Sequence, residues 1–569
     1  MAPRSPFANL LFSACLVASA AFPLWGTTWI PDPSLTNPDR HRRLYEIART
    51  YCDANFDPDA NMVGVQSKNP PNKKSHSTRE SAYYAYGLLL SGDLADRTRA
   101  QAILRGVVAA QYTGTDPGLR GAFNWVAEDK QPQDLNSAAF VGLTLADVIS
   151  LDRRQPCLDP DIRILVEQAG RLSVEAVLHR DVEAGYTNIA FLSIALAAAG
   201  EKLWSMPGAG AWSEAKLDAV LALAGDGEFA EYLSPTYAAV SLHGAYAALK
   251  YSFSDTFNAK AGKAVDHLWK QIAASYHPPT FQLAGPHLRS YGDDMLLYAA
   301  GLKYFLLLAL PDGYPLPEGQ NDHDWDFAGL FTVTDMPITV RPEFATPSVT
   351  LREWTAVGSG QTPVRHLSQY KDSLFTLGTV AFQDEWKQKR NLVAYWRNEA
   401  SPGVAVPGNV RVGYCIDESN ETITGFPGAK VNFYSRQDKG TALVALIAPA
   451  SAPVQGTASL VFDPGAAPAD GETSPYRIID GSVTTYLYPV SPSAALFTGQ
   501  ADGKTFRMNR PWTAADTVGN HKVLSYLVVF RRADQPAPKV SGLALKTDGN
   551  DITAEANVDG LPLSVSFKN

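Results

Sequence analysis

The spacing of apolar residues along the chain changes once, near residue 312. From about residue 36 to residue 310, apolar side chains recur every three or four positions, as Leu44, Ile47 and Tyr51 do in the first segment. This spacing is typical of amphipathic helices. Gly, Pro and Asp separate the segments, and no fixed period of a solenoid repeat is visible. The pattern predicts ten or more helices in hairpin pairs, arranged as an α/α toroid or as a stack of helical pairs.

Beyond a Pro-, Gly- and Asp-rich segment at 311–337, apolar residues come in short runs that alternate with polar ones. The runs at 373–382 and 522–532 are examples, and turn residues stand between such runs. Alternation of this kind predicts strands. A chain of 569 residues is also too long for one compact domain. We therefore predict an (α/α) toroid, an incomplete barrel, over residues 21–320, followed by an antiparallel β-sandwich domain over residues 321–569.

The first residues have the pattern of a targeting segment. Arg4 precedes an apolar run at 7–17, and the Ala-Ser-Ala triplet at 18–20 has the small residues of a cleavage site. We predict a signal peptide over residues 1–20 and a secreted, extracellular protein. A membrane anchor is the alternative, but the apolar run is shorter than a membrane span and Pro23 follows it.

The charge of the chain argues against one class of partner. The formal net charge is -9, whereas a nucleic-acid-binding protein needs a basic face. A local group of cationic side chains can still bind an anionic glycan within an acidic protein. Aromatic residues make up 10% of the chain, and their rings either stack on sugars or fill two large cores. The oligomeric state stays open.

Three cysteines, Cys52, Cys157 and Cys415, remain after removal of the predicted signal peptide. An odd number permits at most one disulfide, and Cys52–Cys157 is the expected pair because both belong to the first domain. No spacing of Cys and His indicates a zinc site, and we predict neither a metal nor a cofactor. In a eukaryotic host, Asn420-Glu421-Thr422 is a glycosylation sequon.

Polar side chains that could act on a ligand occur where loops meet helices. Asn188 stands at the start of one helix, where a helix N-cap is its alternative role. Tyr237 follows a Ser-Pro turn at the start of another helix, and a packed core tyrosine is its alternative role. His287, Arg289 and Tyr291 alternate along a short segment after a Gly-Pro turn, so that one face of the segment could present all three to a ligand.

Further residues are expected to line the same cleft. Trp125 could stack on a sugar ring or pack in the core, and Asn136 could contact hydroxyl groups. The predicted binding residues are Arg79, Trp125, Asn136, Tyr232 and Tyr291, and His76 and Asp134 are additional candidates.

The order of these motifs resembles that in a superfamily of polysaccharide lyases, which includes heparinase II/III-like, chondroitin AC, hyaluronate and alginate lyases. In that superfamily an α/α toroid precedes an antiparallel β domain. Many members carry a His beside the Asn or shortly before the Tyr, whereas this chain has Ile189 and Tyr232 there, which leaves that role to His287 or His243. The residues that carry the resemblance are Asn188, Asp226-Gly227, Glu231, Ser234-Pro235-Thr236-Tyr237 and Arg289.

The resemblance implies β-elimination at a uronic acid within a polysaccharide or oligosaccharide. Tyr237 would take the C5 proton and return a proton to O4, which requires a nearby cation such as Arg289 to lower the pKa of its phenol. Asn188, with Arg289 or His287, would stabilise the charge that develops on the carboxylate. The product would be a 4,5-unsaturated uronate.

Two alternatives from other classes stay open. An α/α-toroid glycoside hydrolase needs two carboxylates that face the bond, and Glu231, Asp134 and Asp293-Asp294 are the candidates for them. A catalytically silent carbohydrate-binding protein could use the same cleft.

Overall fold

The structure is a computed structural model of the chain. The predicted signal peptide, the sequon at Asn420, the Asp293-Asp294 pair and most of the segment at 311–337 lie outside the described residues. The structure describes residues 38–68, 71–292, 295, 301–310, 313–315, 340, 344, 350–356, 364–385, 388–396, 408–415, 431–451, 457–463, 475–490, 498–502, 505–511 and 513–568.

The first half of the described chain is built mainly of helices. Several begin at a side-chain cap: the Ser77 and Ser254 hydroxyls and the Asp93 carboxylate accept hydrogen bonds from backbone N–H groups in the first turn. The helices are α1 (Pro38–Asn55), α2 (Thr78–Leu90), α3 (Leu94–Ala109), α4 (Ser137–Arg154), α5 (Pro160–Arg180), α6 (Thr187–Trp204), α7 (Ala209–Ala224), α8 (Tyr237–Lys250), α9 (Asp255–Ser275) and α10 (Leu302–Ala309).

Helix α6 lies at the centre of this half and packs against α4, α5, α7 and α8. All its residues from Thr187 to Gly200 are buried, and several are alanines that let neighbouring helices approach closely. The contact with α8 is close because Gly244 has no side chain: a Cβ there would lie 2.6 Å from the carbonyl carbon of Phe191. This packing fixes α8 against α6 in the region that carries the candidate site.

The second half of the described chain consists of strands. The strands among the described residues are β1 (Phe56–Asp57), β2 (Met62–Lys68), β3 (Pro71–Ser77), β4 (Tyr276–His277), β5 (Gln282–Leu283), β6 (Thr350–Ala356), β7 (Arg365–Lys371), β8 (Phe375–Val380), β9 (Phe382–Asp384), β10 (Leu392–Trp396), β11 (Gly408–Cys415), β12 (Asn432–Asp438), β13 (Thr441–Pro449), β14 (Thr457–Asp463), β15 (Tyr476–Asp480), β16 (Val483–Pro489), β17 (Thr498–Asp502), β18 (Thr505–Pro511), β19 (Thr517–Val518), β20 (His521–Arg532), β21 (Val540–Asp548), β22 (Asp551–Val558) and β23 (Leu561–Lys568).

Three antiparallel sheets account for the strands from β6 onward. The first has the order β17-β18-β14-β11-β10-β8-β7-β6, and the second has the order β15-β16-β20-β13-β12-β9, with β19 beside β20. In the second sheet β13 pairs with β20 in a register that places Leu443 opposite Leu527. The last three strands, β21-β22-β23, form a small separate sheet.

Apolar side chains hold these sheets together. The two large sheets contact each other through stacked rings of Phe375 and Phe530, whose centroids are 6.0 Å apart. Strand β22 alternates buried and half-exposed residues, and its buried Ile552 and Ala554 belong to one cluster with Leu443 and other residues of the second sheet. The small C-terminal sheet therefore covers a face of the second sheet.

One segment of the helical half, residues 284–290, lies directly against the first sheet. The Gln369 side chain donates hydrogen bonds to the carbonyl oxygens of Ala284 and Gly285, at 2.8 and 2.9 Å. Gly378 permits this approach, because a Cβ at that position would collide with the Gly285 carbonyl. The first sheet thus supports the segment that presents Arg289.

The predicted order of a helical part followed by an antiparallel β part is confirmed. The toroid, the sandwich and the domain boundaries stay predictions. The expected disulfide is wrong: Cys52 and Cys157 are both free thiols, and both are buried. Burial raises the pKa of both thiols, that of Cys157 to about 12. None of the helices in the described part of the chain has the length and apolarity that a membrane crossing requires.

Candidate functional site

Two adjoining cavities form a groove, and Tyr186 lines both of them. The first, which we call the aromatic pocket, has a volume of about 280 Å³. The second, which we call the cationic cavity, has a volume of about 700 Å³ and is bounded by both halves of the chain. The aromatic pocket is lined by Arg79, Tyr83, Trp125, Asp134, Asn136, Phe140, Tyr186, Asn188, Ile189, Thr236, Tyr237, Ala239, Val240, Tyr291, Gly301, Tyr304 and Phe305. The cationic cavity is lined by Arg180, Asp181, Val182, Glu183, Gly185, Tyr186, Ala230, Glu231, Tyr232, Leu288, Arg289, Arg365, Gln383, Asp384 and Lys389.

Tyr237 is the first residue of α8 and stands at the wall of the aromatic pocket. The turn before it is held by Ser234, whose hydroxyl accepts a hydrogen bond from the Tyr237 N–H at 3.0 Å and donates one to the Arg289 carbonyl at 2.5 Å. Leu233, just before this turn, has φ of 43°, a left-handed conformation that is uncommon for a residue with a side chain. The turn ties Tyr237 to the segment that carries Arg289.

Arg289 is the hub of the site. Its Nη2 donates to the Tyr237 hydroxyl at 3.0 Å, and its guanidinium carbon lies 4.2 Å from the centroid of the same ring. Nη1 lies 3.3 Å from a Glu231 carboxylate oxygen, and Nε donates to the Gln388 side-chain oxygen at 2.9 Å. Three fixed partners leave this planar side chain little freedom.

Asn188 is buried next to the hub as the second residue of α6. Its backbone N–H and its Nδ2 both donate to one Glu231 oxygen, at 2.8 and 2.6 Å. An N-cap role is wrong for Asn188, because Tyr186 occupies that position. The Nδ2 nitrogen carries two hydrogens, of which Glu231 accepts one, and Asn188 is among the residues that line the aromatic pocket.

Glu231 therefore orients both donors, with a side chain that is 6% exposed. Burial raises its pKa, and the hydrogen bonds from Asn188 and the charge of Arg289 oppose that shift. A carboxylate held in this way fixes an amide and a guanidinium at the same wall of the groove.

The Tyr237 hydroxyl also shares a short hydrogen bond with the hydroxyl of Tyr291, a residue that is 52% exposed. Burial raises the pKa of Tyr237 above its usual value, and the Tyr291 hydrogen bond raises it further, while Arg289 lowers it. Arg289 is thus the neighbour that the sequence predicted, but its charge does not outweigh burial. The phenol is protonated at neutral pH.

The opposite wall of the aromatic pocket combines a ring, a cation and an amide. The Arg79 guanidinium lies 5.3 Å from the Trp125 ring centroid and 5.6 Å from that of Phe140. Asn136 donates to the Tyr186 hydroxyl at 2.9 Å and so connects this wall to Tyr186 at the junction of the two cavities. A ring and amide donors facing one space suit a sugar, which presents both apolar faces and hydroxyl groups.

Two predicted residues lie outside the aromatic pocket. His287 is fully buried; its Nδ1 donates to the Leu233 carbonyl at 2.6 Å, which leaves Nε2 to accept from the Tyr395 hydroxyl at 3.1 Å. Because His287 is buried, it cannot reach a ligand in the groove, and the catalytic role predicted for it is wrong. Its ring instead supports the turn before Tyr237. Tyr232 borders the cationic cavity but is 1% exposed, and its hydroxyl accepts a hydrogen bond from Gln383 Nε2 at 3.5 Å.

The other His candidates are also engaged elsewhere. His243 is buried inside α8. His76 lies between Glu128 and Asp57, with its Nε2 3.2 Å from the Asp57 carboxylate. In the described part of the chain, no group of three or more His, Cys, Asp or Glu side chains could hold a metal ion.

A family model described as a domain of unknown function, DUF8769, matches residues 42–334. This is more than half of the 569 residues. The chain belongs to DUF8769. The matched region includes Tyr237, Asn188, Glu231 and Arg289, whereas Gln388 and most strands follow it. No curated protein matches the sequence of this DUF8769 member.

Solved structures similar to this DUF8769 member include three with lyase names. A crystal structure of heparinase III is 10% identical, with a TM-score of 0.45, 95% of this chain covered and 94% of the other. A chondroitin AC lyase of Streptomyces coelicolor A3 in complex with chondroitin sulphate is 11% identical, with a TM-score of 0.46, 93% of this chain covered and 86% of the other. A heparan sulfate lyase HepC mutant from Pedobacter heparinus is 11% identical, with a TM-score of 0.33, 92% of this chain covered and 89% of the other. TM-scores below 0.5 are too low for an activity to be taken from these structures.

The structure brings together most of the residues that the DUF8769 sequence suggested: Tyr237, Asn188, Arg289 and Tyr291 meet at one wall, and Arg79, Trp125 and Asn136 line the same pocket. Sequence reasoning missed Tyr186 and Gln388. Tyr186 had a weak signal, an aromatic residue directly before the helix that carries Asn188. Gln388 had none, because its contact with Arg289 spans 99 positions of the chain.

Proposed function

We propose that this protein is a lyase that cleaves a uronate-containing glycan by β-elimination, with Tyr237 as the residue that transfers the proton. One observation carries the proposal: the Arg289 guanidinium lies over the Tyr237 ring and donates to its hydroxyl, beside the buried Asn188 amide and in an open groove. A phenol, a cation and an amide donor are the groups that such an elimination requires.

The reaction begins when the uronate binds with its carboxylate toward Asn188 and Arg289. The Tyr237 oxygen, as phenolate, takes the proton from C5, and negative charge moves onto the carboxylate, where the second Asn188 N–H stabilises it. The electron pair of the C5–H bond then forms the C4–C5 double bond as the C4–O4 bond breaks. The phenol returns the proton to O4, so that one residue serves as base and acid in a syn elimination.

The protonation state of Tyr237 sets the pH at which this reaction runs. Because burial raises its pKa, only a minor fraction is phenolate at neutral pH, and that fraction increases as the pH rises. The Tyr291 hydroxyl, itself half-exposed, offers a route by which the resting proton leaves to solvent. The proposed enzyme is therefore more active at alkaline pH than at neutral pH.

The remaining predictions about architecture and location belong to the same proposal. We infer that the helices form an incomplete toroid over residues 21–320, that the large sheets form a β-sandwich, and that residues 1–20 direct secretion. A secreted enzyme meets extracellular polysaccharides, which are the substrates that this groove suits. Trp125, which faces the aromatic pocket, then stacks on a sugar ring beside the one that reacts.

The test is a panel of uronate polymers incubated with the wild-type protein and with Tyr237→Phe. Product is followed by the ultraviolet absorbance of the unsaturated uronate and, in parallel, by release of reducing ends. We expect unsaturated product from the wild type alone. Tyr112→Phe removes a hydroxyl outside the groove and is the matched control, which should keep full activity. Reducing ends without unsaturated product would contradict the proposal and favour a hydrolase.

A further inference from the structure

Four cationic side chains line the cationic cavity, and two of them, Arg180 and Arg365, have no acidic partner among the described residues. Arg365, the first residue of β7, is 5% exposed, and its one hydrogen bond within the described residues goes to the Phe382 carbonyl at 3.4 Å. Arg180, the last residue of α5, is half-buried and has neither a hydrogen bond nor an ion pair with any described residue. Buried guanidinium groups normally have partners for their five N–H donors.

The acidic residues of the cavity do not neutralise these arginines. Asp384 pairs with Lys389 at 2.7 Å, and Asp181 pairs with Lys216 at 2.8 Å. Glu231 is held by Arg289. Glu183 is exposed at the rim. The cavity therefore keeps two positive charges whose partners are not among the described residues.

The surroundings of Arg180 also favour an added negative charge. Burial lowers its pKa, and the charge of Asp134 opposes that shift only in part. An anion placed in the cavity would remove this penalty, because it would supply the missing opposite charge at hydrogen-bonding distance.

The position of the cavity connects it to the reaction site. Tyr186 lines both cavities, and Arg289, which contacts Tyr237, is part of the wall of the cationic cavity. A cavity of about 700 Å³ has room for a sugar unit. A glycan with its reacting uronate at Tyr237 can therefore extend directly into the cationic cavity.

We propose that the cationic cavity binds an anionic group, a carboxylate or a sulfate, on the sugar next to the one that reacts, and that Arg180 and Arg365 recognise it. That the neighbouring sugar is part of a substrate rests on the function proposed above; the recognition of an anionic sugar by the two arginines does not. The preferred glycan is then one with charge on adjacent sugars, and a chain in which uronate alternates with a neutral sugar is a poorer ligand.

The experiment measures equilibrium binding by titration calorimetry in a Tyr237→Phe background, so that no ligand is turned over. The probes are a uronate tetrasaccharide, the same tetrasaccharide with its carboxyl groups reduced to hydroxymethyl groups, and a sulfated tetrasaccharide without carboxylates. The variants are Arg365→Gln and Arg180→Gln. Arg105→Gln, an exposed arginine outside the groove, is the matched control.

We expect each cavity variant to weaken binding of the uronate tetrasaccharide about tenfold or more, the loss of one charge-assisted contact. Binding of the carboxyl-reduced tetrasaccharide should not change, and Arg105→Gln should bind as the parent does. A matching loss with the sulfated probe identifies sulfate as an accepted group, and no loss with it identifies carboxylate as the group recognised.

The proposal is overturned if neither cavity variant changes binding of the charged tetrasaccharides, if the reduced tetrasaccharide is weakened equally, or if no anionic tetrasaccharide binds. Arg180→Gln changes a half-buried helix end and keeps the test available should Arg365→Gln fold poorly, which thermal melts would reveal. Arginine-dependent binding without unsaturated product from the wild type would refute the lyase and keep the anion site. Unsaturated product without arginine-dependent binding would refute the anion site and keep the lyase.

Discussion

The two ends of the groove balance their charges in opposite ways. At the hub, Arg289 has a protein partner for each of its three nitrogen positions, and Glu231 holds both Arg289 and Asn188. In the cationic cavity, Arg180 and Arg365 have no acidic partner among the described residues. Ion pairs within the protein hold their side chains in one orientation, whereas cationic side chains without an acidic partner can bind an anionic ligand. In the function that we propose, Tyr237 and the residues around Arg289 perform the chemical step, and the cationic cavity binds the neighbouring sugar.

The largest effect should come from Tyr237→Phe, which removes the hydroxyl at the hub and nothing at the cavity. We expect kcat to fall by about 10²–10⁴-fold, the usual contribution of a positioned acid or base, with KM changed little. Steady-state kinetics on the best uronate polymer measure both constants. A variant with near-normal kcat would show that the hub does not perform the chemistry.

The next effect should come from Glu231→Gln, which keeps the shape of the side chain and removes its charge. Arg289 and Asn188 then lose the anion that orients them, and kcat should fall by up to about 10²-fold, as for a misplacement of ~1 Å. Glu214→Gln, at a surface ion pair with Lys260, is the control. Weaker substrate binding with an unchanged kcat would show that Glu231 acts in substrate binding and not in the chemical step.

A third test disturbs the support of the hub from the sheet. In Gly378→Ala the new methyl group meets the Gly285 carbonyl and the Pro286 nitrogen, so the segment that carries Arg289 must shift. Overpacking of this kind costs about 1–3 kcal/mol of stability, and turnover should fall with it. In the control Gly262→Ala, the nearest atom to the new Cβ is 4.0 Å away. Chemical denaturation and kcat are measured together, and an unchanged kcat in Gly378→Ala would contradict the support role.

The smallest effect should be a shift in pH dependence in Tyr291→Phe. The hydrogen bond that Tyr237 shares with Tyr291 raises the pKa of Tyr237, so its removal lowers that pKa and increases the phenolate fraction at a given pH. The alkaline rise of kcat/KM should therefore move to lower pH. A profile that stays in place, or moves to higher pH, would show that the activity does not follow the phenol of Tyr237.

The residues that the sequence suggested on the helical side lie together in the structure, and the sequence signals for them are local. Tyr237 and Asn188 each stand at the start of a helix after a recognisable turn, and helical periodicity places those turns. Packing of α8 against α6 through Gly244 then brings the two helix starts together, as their order along the chain suggested.

The failures involve contacts between distant parts of the chain. Alternation along the segment suggested that His287 faces the same way as Arg289, but its backbone pairs with Arg390 and its ring is directed to Leu233 and Tyr395. Similarly, Gln388 contacts Arg289 across 99 positions of the chain, and Arg365 reaches the cationic cavity from β7. No local pattern encodes either approach. The expected Cys52–Cys157 disulfide was inferred from the number of cysteines and from their place in one domain, neither of which brings two thiols into contact.

The most direct measurement of the central claim compares a uronate polymer with the same polymer deuterated at C5. If Tyr237 removes the C5 proton as proposed, we expect the wild-type protein to form a 4,5-unsaturated uronate from both polymers and to form it more slowly from the deuterated one. Equal rates of chain cleavage with a saturated product would contradict the account.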